Sequence, residues 1–377
     1  MTEIYVIRHV QAEGNLYRHM QGHWDGDVTA RGVEQMERLA ARFRDVPIDA
    51  VYSSDLRRAR FTALAFTRGR DVPFYTDRRL REINIGPWEG VPFANAIWET
   101  PALFDAFLHD PEGFYLEGAE TFRDVQKRAV EALHDIVRAN PGRTVAITTH
   151  GITIRCMLTA VLGVPLSDTE TVPLFSNTGV AHLRYEDGRF TVLAVNDASH
   201  LDEAERAIPR DSAALRDVPL DPVGDREAYV ACYADSWRTA HGDLAGFDGD
   251  TYWLGALEHL RDDPDSVQFI YDRERPAGLL DLDTQRGANI NCGWISLLYL
   301  APEYRGRGLG VQLLGRAVVK YRRLGRRALR LQAAEDNAAA ISFYRKYGFE
   351  ALSWTPGSHG RIWLMEKDLR GIAHVDV

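Results

Sequence analysis

A chain of 377 residues is longer than one compact core usually grows, so two domains are expected. Its 45% hydrophobic and 26% charged residues are ordinary globular values and exclude a fibrous or largely disordered protein. Lys+Arg 45 against Asp+Glu 54 leave a formal net charge of −9, which repels phosphate backbones and anionic lipid and excludes nucleic acid and membrane as default partners.

Ile4 to Ile7 is too short an apolar run for a signal peptide, and no stretch approaches the roughly 20 apolar residues of a membrane-spanning helix. Cys156, Cys232 and Cys292 are far apart and odd in number. They predict neither a disulfide framework nor a metal cluster, and they point to a reducing, cytoplasmic setting.

Taken in chain order, Ile4 to Ile7 predicts a strand, Gly32 to Arg44 a helix and Ile48 to Ser53 a second strand. Asp55 is the expected N-cap of a helix reaching about Phe66. Glu120 to Asn140 reads as an amphipathic helix stopped by Pro141-Gly142, and Thr144 to Thr149 as a β-branched strand. Strands alternating with helices predict parallel pairing in an α/β fold, with ligands beyond the carboxyl ends of the strands. From His200 to Asp211 the chain turns polar, and a linker is set there at 208–211, dividing a first domain, 1–207, from a second, 212–377. The second domain opens with helices near Arg226 to His241 and Thr251 to Arg261. Strands follow at Val267 to Asp272, Ala277 to Asp283 and Gly293 to Ala301. A helix from Leu309, a strand at Ala328 to Ala333, a helix from Ala338 to Tyr347 and strands near Phe349 and Arg361 complete it.

Two histidines share one context, each directly after a β-like run: Arg8-His9 after Ile4 to Ile7, and His150-Gly151 after Val145 to Thr149. Parallel strands bring both to the same sheet edge. Ser53-Ser54-Asp55-Leu56-Arg57-Arg58-Ala59-Arg60 puts guanidinium groups on the first turn of a helix. Cations there oppose the helix dipole, a conflict that a bound anion relieves; a solvated helix face is the bland alternative.

The set Arg8-His9, Gln21-Gly22, Thr29-Ala30-Arg31-Gly32, Ser53 to Ala59, Leu80-Arg81-Glu82, Glu117 to Thr121 and Thr149-His150-Gly151 resembles the histidine phosphatase superfamily, the phosphoglycerate-mutase-like proteins. The resemblance implies a three-layer α/β/α domain in which His9 is the nucleophile, forming a phosphohistidine. It also implies that Arg8, Arg58 and His150 bind the phosphoryl oxygens, that Asn15 and Gln21 contact substrate, and that Glu82 donates the proton. Arg58 is preferred over its neighbour Arg57. The chemistry fits. Transfer spreads negative charge over three oxygens, guanidinium forks match them, and Arg8 disfavours a protonated His9. Beside a dianionic phosphate, Glu82 can hold a proton for the leaving oxygen. No metal or other cofactor is required in this domain. One departure stands out: Val10 replaces the family's glycine, so either the backbone there is ordinary or the loop has shifted. The stretch from Gly86 to Gly118 carries Trp88, Phe93, Trp98, Phe104, Phe107 and Phe114 and is short for a mutase lid, which favours hydrolysis of a small phosphomonoester. These aromatics serve as an apolar lid or, individually, as core.

Arg305-Gly306-Arg307-Gly308-Leu309-Gly310 lies between a strand and a helix, where glycines let backbone N–H groups face an anion. The Rossmann and Walker spacings fail. The loop instead resembles the R-x-x-G-x-G pyrophosphate loop of the GNAT acetyltransferase family, and Asn337 to Phe349 resembles that family's later helix and strand. The resemblance implies a mixed-sheet α/β domain that uses acetyl-CoA. In that reading Arg305, Gly306, Arg307, Gly308, Leu309 and Gly310 hold the pyrophosphate, and Leu298, Tyr299 and Leu300 pair with the pantetheine arm. Asn337 caps a helix and reaches the CoA, and Tyr344 protonates the departing thiolate. Glu274, Asp281, Asp283, Glu303 and Glu335 are candidate bases by strand position only. The run from Arg322 to Arg330 reads as a solvated helix end.

The sequence therefore predicts a bifunctional enzyme acting on a small phosphorylated metabolite and an amine acceptor. Homodimer formation stays open. The alternatives are mutase-type phosphoryl transfer, or a regulatory protein with one domain binding its ligand without turnover.

Overall fold

The structure is a computed structural model and describes residues 1–203, 215–357 and 360–371. Of these, 1–91 and 96–203 form one compact unit, and 92–95 with 215–371 form another. The expected linker at 208–211 lies outside the described residues. Among the described residues, no helix is long and apolar enough to cross a membrane.

The strands β1 (Thr2–Arg8), β2 (Ala50–Ser53), β3 (Phe74–Thr76), β4 (Thr144–Thr149), β5 (Val180–Glu186) and β6 (Arg189–Asp197) make the first sheet, in the order β3-β2-β4-β1-β5-β6. β1 to β4 pair in parallel, as the alternation of strands and helices predicts. β5 and β6 add an antiparallel edge that the sequence reading omits, turning through Asp187 and Gly188, both at positive φ.

The helices of this part of the chain are α1 (Glu13–Tyr17), α2 (Ala30–Arg42), α3 (Arg57–Thr67), α4 (Phe93–Glu99), α5 (Pro101–His109), α6 (Phe122–Ala139) and α7 (Gly151–Leu162). Two-residue periodicity divides β1 between two cores. Ile4 and Val6 pack with Leu133, Ile136 and Met157 of α6 and α7, while Ile7 packs with Met36, Leu39 and Phe66 of α2 and α3. A sheet with an apolar core on each face gives the three-layer α/β/α arrangement. Asp55 is not the cap of α3: that position falls to Leu56, and the Asp55 carboxylate instead takes both donors of Arg81 at 2.6 Å. A bidentate ion pair outcompetes a capping bond to neutral N–H.

In the second unit, β7 (Arg216–Pro219) precedes α8 (Arg226–His241), α9 (Gly249–Asp262), β8 (Val267–Asp272), β9 (Arg275–Asp283) and β10 (Cys292–Leu300). Then come α10 (Gly310–Arg323), β11 (Ala328–Ala334), α11 (Ala338–Lys346), β12 (Phe349–Gly357) and β13 (Gly360–Asp368). The mixed sheet runs β12-β13-β11-β10-β9-β8-β7. The domain thus opens with an edge strand and not with a helix. Gly293 is required where it stands, because a Cβ there would sit 2.3 Å from the Tyr321 ring. That ring is buried, and its hydroxyl donates to the Trp294 carbonyl at 2.6 Å, seating α10 on β10. The arginines at the end of α10 and beyond it are not simply solvated: Arg322 and Arg326 donate to main-chain carbonyls and Arg330 pairs with Glu366 at 2.6 Å.

Candidate active sites

Register places the first site. Arg8 lies opposite Thr149 and Ser53 opposite Thr148, so His9, His150 and Ser54 all leave the sheet at its carboxyl edge. The His9 and His150 rings are buried with centroids 5.2 Å apart. His9 Nδ1 lies 2.6 Å from the Val10 carbonyl, which only accepts, so Nδ1 carries the proton and Nε2 keeps a free lone pair. Burial holds the His9 pKa well below the ordinary imidazole range, with Arg58 and Arg8 adding like-charge repulsion. Burial and the Arg58 charge do the same to His150. Both rings are therefore neutral at physiological pH.

Arg58 is completely buried on the first turn of α3 and donates to the carbonyls of Gly22 at 2.7 Å and Trp24 at 3.2 Å. Arg57 is half-exposed and turns to Asp27. Arg8 is partly buried and donates to the Phe175 carbonyl. Arg8 Nε, Arg58 Nε and His150 Nδ1 are buried polar atoms with no protein partner. Ser54 Oγ lies 2.9 Å from His150 Nε2 and accepts from the Leu56 N–H.

Glu82 sits against the N-terminus of α7, accepting from the N–H groups of Thr153 at 3.1 Å and Ile152 at 3.2 Å. A Cβ on Gly151 would lie 3.5 Å from Arg8 Nε and 3.8 Å from Glu82 Oε2, in ordinary contact, which places the start of α7 between those two side chains. Val10 does not have positive φ, its side chain lies in the apolar core, and its N–H donates to Thr62 Oγ1 at 2.9 Å. The backbone there is ordinary, the first of the two expected outcomes. Asn15 and Gln21 join each other at 3.5 Å, and Asn15 Oδ1 also accepts from the Ala12 N–H, a bond within its own loop. Trp88, Phe104, Phe107 and Phe114 pack edge-on or tilted against one another and against Phe122, forming a small core, while Trp98 is half-exposed.

Sequence reasoning missed the residues that hold the site. Glu89 accepts the N–H groups of Gly22, His23 and Trp24, fixing the loop whose carbonyls grip Arg58. Arg128 donates to the carbonyls of Arg79, Arg81 and Glu82 while paired with Glu120 at 2.8 Å, anchoring the Glu82 turn. Asn177 donates to the His9 carbonyl at 2.9 Å. Main-chain contacts of this kind have no signature in residue types.

In the second unit, Gly306 and Gly308 take positive φ, with nothing within 4 Å of a built Cβ, ahead of the α10 N-terminus. Arg305 clamps the loop through Leu300 O at 2.7 Å and Asp235 at 2.6 Å. β10 pairs with β11 only over Cys292–Ile295, whereas its pairing with β9 continues to Leu300. The strands separate beyond that point. A cleft of about 410 Å³ there is lined by Leu298, Tyr299, Leu300, Arg305, Gly306, Gly308, Leu309, Gly310, Asn337 and Tyr344. The open glycine turn and the unpaired strand edge fit an acetyl-CoA molecule. Arg307 points elsewhere, donating to the Glu303 carbonyl at 3.5 Å. Asn337 caps α11 through the Ala340 N–H at 3.1 Å. Tyr344 is buried, and burial pushes its phenol well above the ordinary value, so it keeps its proton. A second cavity, of about 430 Å³, shares Leu298, Asn337 and Tyr344 with the first and also takes in His259, Asp281 and Asp283. Glu274, Glu303 and Glu335 are exposed and line neither cavity.

The chain belongs to the histidine phosphatase superfamily, whose branch 1 matches residues 4–198. Residues 226–349 match the acetyltransferase (GNAT) family, so the two are joined in one chain. Phosphoserine phosphatase 1 of Hydrogenobacter thermophilus is 28% identical over 203 residues, 54% of this chain and 96% of that protein. A Salmonella choleraesuis protein named "Probable phosphoglycerate mutase GpmB" is 27% identical over 209 residues, with 54% and 96% covered. Among solved structures, Bacillus stearothermophilus YhfR matches with 36% identity and a TM-score of 0.52, over 53% of this chain and 99% of that one.

The two neutral imidazoles carry a pH consequence. Unfolded histidine titrates near 6.5 and the folded values lie below it, so protons favour the unfolded state. The unfolding free energy of the first unit is expected to be level with respect to these groups above about pH 6.5 and to fall as pH drops below it. Denaturant titrations of wild type and His150→Gln check this: the variant's acid-induced loss is smaller, and equal losses would contradict the assignment.

Proposed function

We propose that the first unit hydrolyses a small phosphomonoester through a phosphohistidine on His9, and that the second transfers acetyl from acetyl-CoA to an amine. The observation that carries the first reading is a neutral His9 with Nε2 free, beside three buried nitrogen atoms, Arg8 Nε, Arg58 Nε and His150 Nδ1, that have no protein partner. With His150 Nδ1 as the third N–H donor, these atoms suit the charge that builds on three phosphoryl oxygens during transfer. His9 Nε2 attacks phosphorus, and Glu82 gives its proton to the leaving oxygen. Water then attacks the phosphohistidine, with Glu82 taking back a proton and His9 regenerated neutral. The relatives' printed names span phosphoserine phosphatase and phosphoglycerate mutase. The segment from Gly86 to Gly118 is short for a lid that closes over a bisphosphate, which favours hydrolysis.

In the second unit, the main chain from Arg305 to Gly310 holds the pyrophosphate, the Leu298–Leu300 edge takes the pantetheine arm, and Tyr344 protonates the departing sulfur. Acetyl-CoA supplies the activated acetyl group. Residues 1–207 and 212–377 are assigned as the two domains, and the unpaired cysteines suit the cytoplasm.

Hydrolysis of an aryl phosphate by the full chain tests the first reading. His9→Ala is expected to lose all turnover. Glu82→Gln is expected to lose about 10²–10⁴ on an alkyl phosphate but less on an aryl one, whose leaving oxygen needs little protonation. Equal turnover by His9→Ala and wild type refutes the route. For the second reading, millimolar acetyl-CoA is expected to raise the melting temperature of wild type but not of Gly308→Val, whose left-handed turn a β-branched residue cannot adopt without strain. No shift in wild type would contradict it.

A further inference from the structure

His259, Asp281 and Asp283 form a group that nothing in the acetyl-CoA cleft uses. His259 Nδ1 lies 2.6 Å from Asp281 Oδ1, and Tyr229 donates its hydroxyl to the other Asp281 oxygen at 2.6 Å. Asp281 is 1% exposed and its two oxygens are thus both engaged. A proton on His259 Nδ1 leaves Nε2 as a lone pair, 3.5 Å from Asp283 Oδ2. Asp281 and Asp283 project from the same face of β9, as residues two apart must. All three line the cavity of about 430 Å³ that meets the acetyl-CoA cleft at Leu298, Asn337 and Tyr344. That volume lies in the range of small-molecule sites, roughly 300–1,000 Å³.

Resting on the acetyltransferase reading of this unit, we infer that the cavity is the acceptor site for a small primary amine, with Asp283 binding the ammonium and His259 Nε2, oriented by Asp281, taking its proton. The reaction then balances. His259 removes one proton from the ammonium, and the freed lone pair forms the C–N bond at the acetyl carbon as the C–S bond breaks. The acylated nitrogen then sheds its second proton to solvent, Tyr344 gives its phenolic proton to the departing sulfur and recovers one from solvent, and the imidazolium returns its proton to solvent.

The groups facing His259 set its pH range. β9 brings Asp281 and Asp283; α8 brings Tyr233 and His241 and, through its bond to Asp281, Tyr229; α9 brings Tyr252; and Arg286, its guanidinium 3.4 Å over Trp294, supplies the fixed positive charge. Burial alone lowers the His259 pKa, but the Asp281 hydrogen bond and the charges of Asp281 and Asp283 outweigh it and hold the value above the ordinary one. Base catalysis needs the neutral ring, so kcat/KM for the amine is expected to rise with pH through that raised value.

The test uses the full chain, acetyl-CoA and a panel of amino acids, amino alcohols and diamines, with CoA thiol release as the readout. His259→Gln is expected to lower kcat by about 10²–10⁴ and to flatten the acid limb, while keeping the acetyl-CoA thermal shift. Asp283→Asn is expected to move the acid limb to lower pH and to raise KM for the amine. A wild-type protein that binds acetyl-CoA but acetylates no small primary amine overturns this inference. So does an Asp283→Asn profile superimposable on wild type, which decides the matter even where His259→Gln does not fold. Failure to bind acetyl-CoA sinks the acetyltransferase reading itself, a distinguishable result.

Discussion

Buried positive charge is the constraint on which the first unit depends. Arg58 is wholly removed from solvent, and its nearest carboxylate contact, Asp25, is 3.6 Å away. A buried cation whose carboxylate partner stands that far off is costly, and main-chain carbonyls offset that cost only in part. Gly22 and Trp24 therefore have to present their carbonyls to the guanidinium, and Glu89 has to collect three successive N–H groups to keep that loop in place. The same field keeps His9 neutral. One buried, positively charged arrangement thus suits an anion and leaves the imidazole with a free lone pair.

Much of this was legible because it is carried by residue type at strand ends. His9 and His150 follow apolar β runs, and parallel register brings them together without further information. Arg58 follows β2 by the same logic. The supports were not legible, since a carbonyl of Gly22 or Phe175 looks like any other in sequence. Asp55 illustrates the opposite error: it has the right identity and position for a cap, yet Arg81, distant in sequence, binds it more strongly. The antiparallel β5–β6 pair was recoverable from its Asp187-Gly188 turn, whereas the four-residue edge strand β7 has no alternation to betray it.

The second unit divides along similar lines. Its glycine turn is a local feature, so Gly306 and Gly308 declare themselves by composition. The acceptor cavity is assembled from α8, α9, β9 and β10, and no spacing links His259 to Asp281. The alternation Asp281, Asp283 was visible, but only the fold distinguishes these two from Glu274 and Glu335, which are equally acidic and face solvent. The histidine phosphatase and GNAT parts of the chain thus each bury charge, Arg58 in the first and the Asp281 carboxylate in the second.

The central claim is that a neutral His9 in this charged pocket accepts phosphorus. The most direct measurement is base quench of the enzyme during turnover of a phosphomonoester, followed by peptide mass spectrometry. The account predicts an acid-labile, base-stable phosphate on the peptide carrying His9, at Nε2 of that residue. Turnover that proceeds with no phosphate on His9 at any quench time, or with phosphate on another residue, would contradict it.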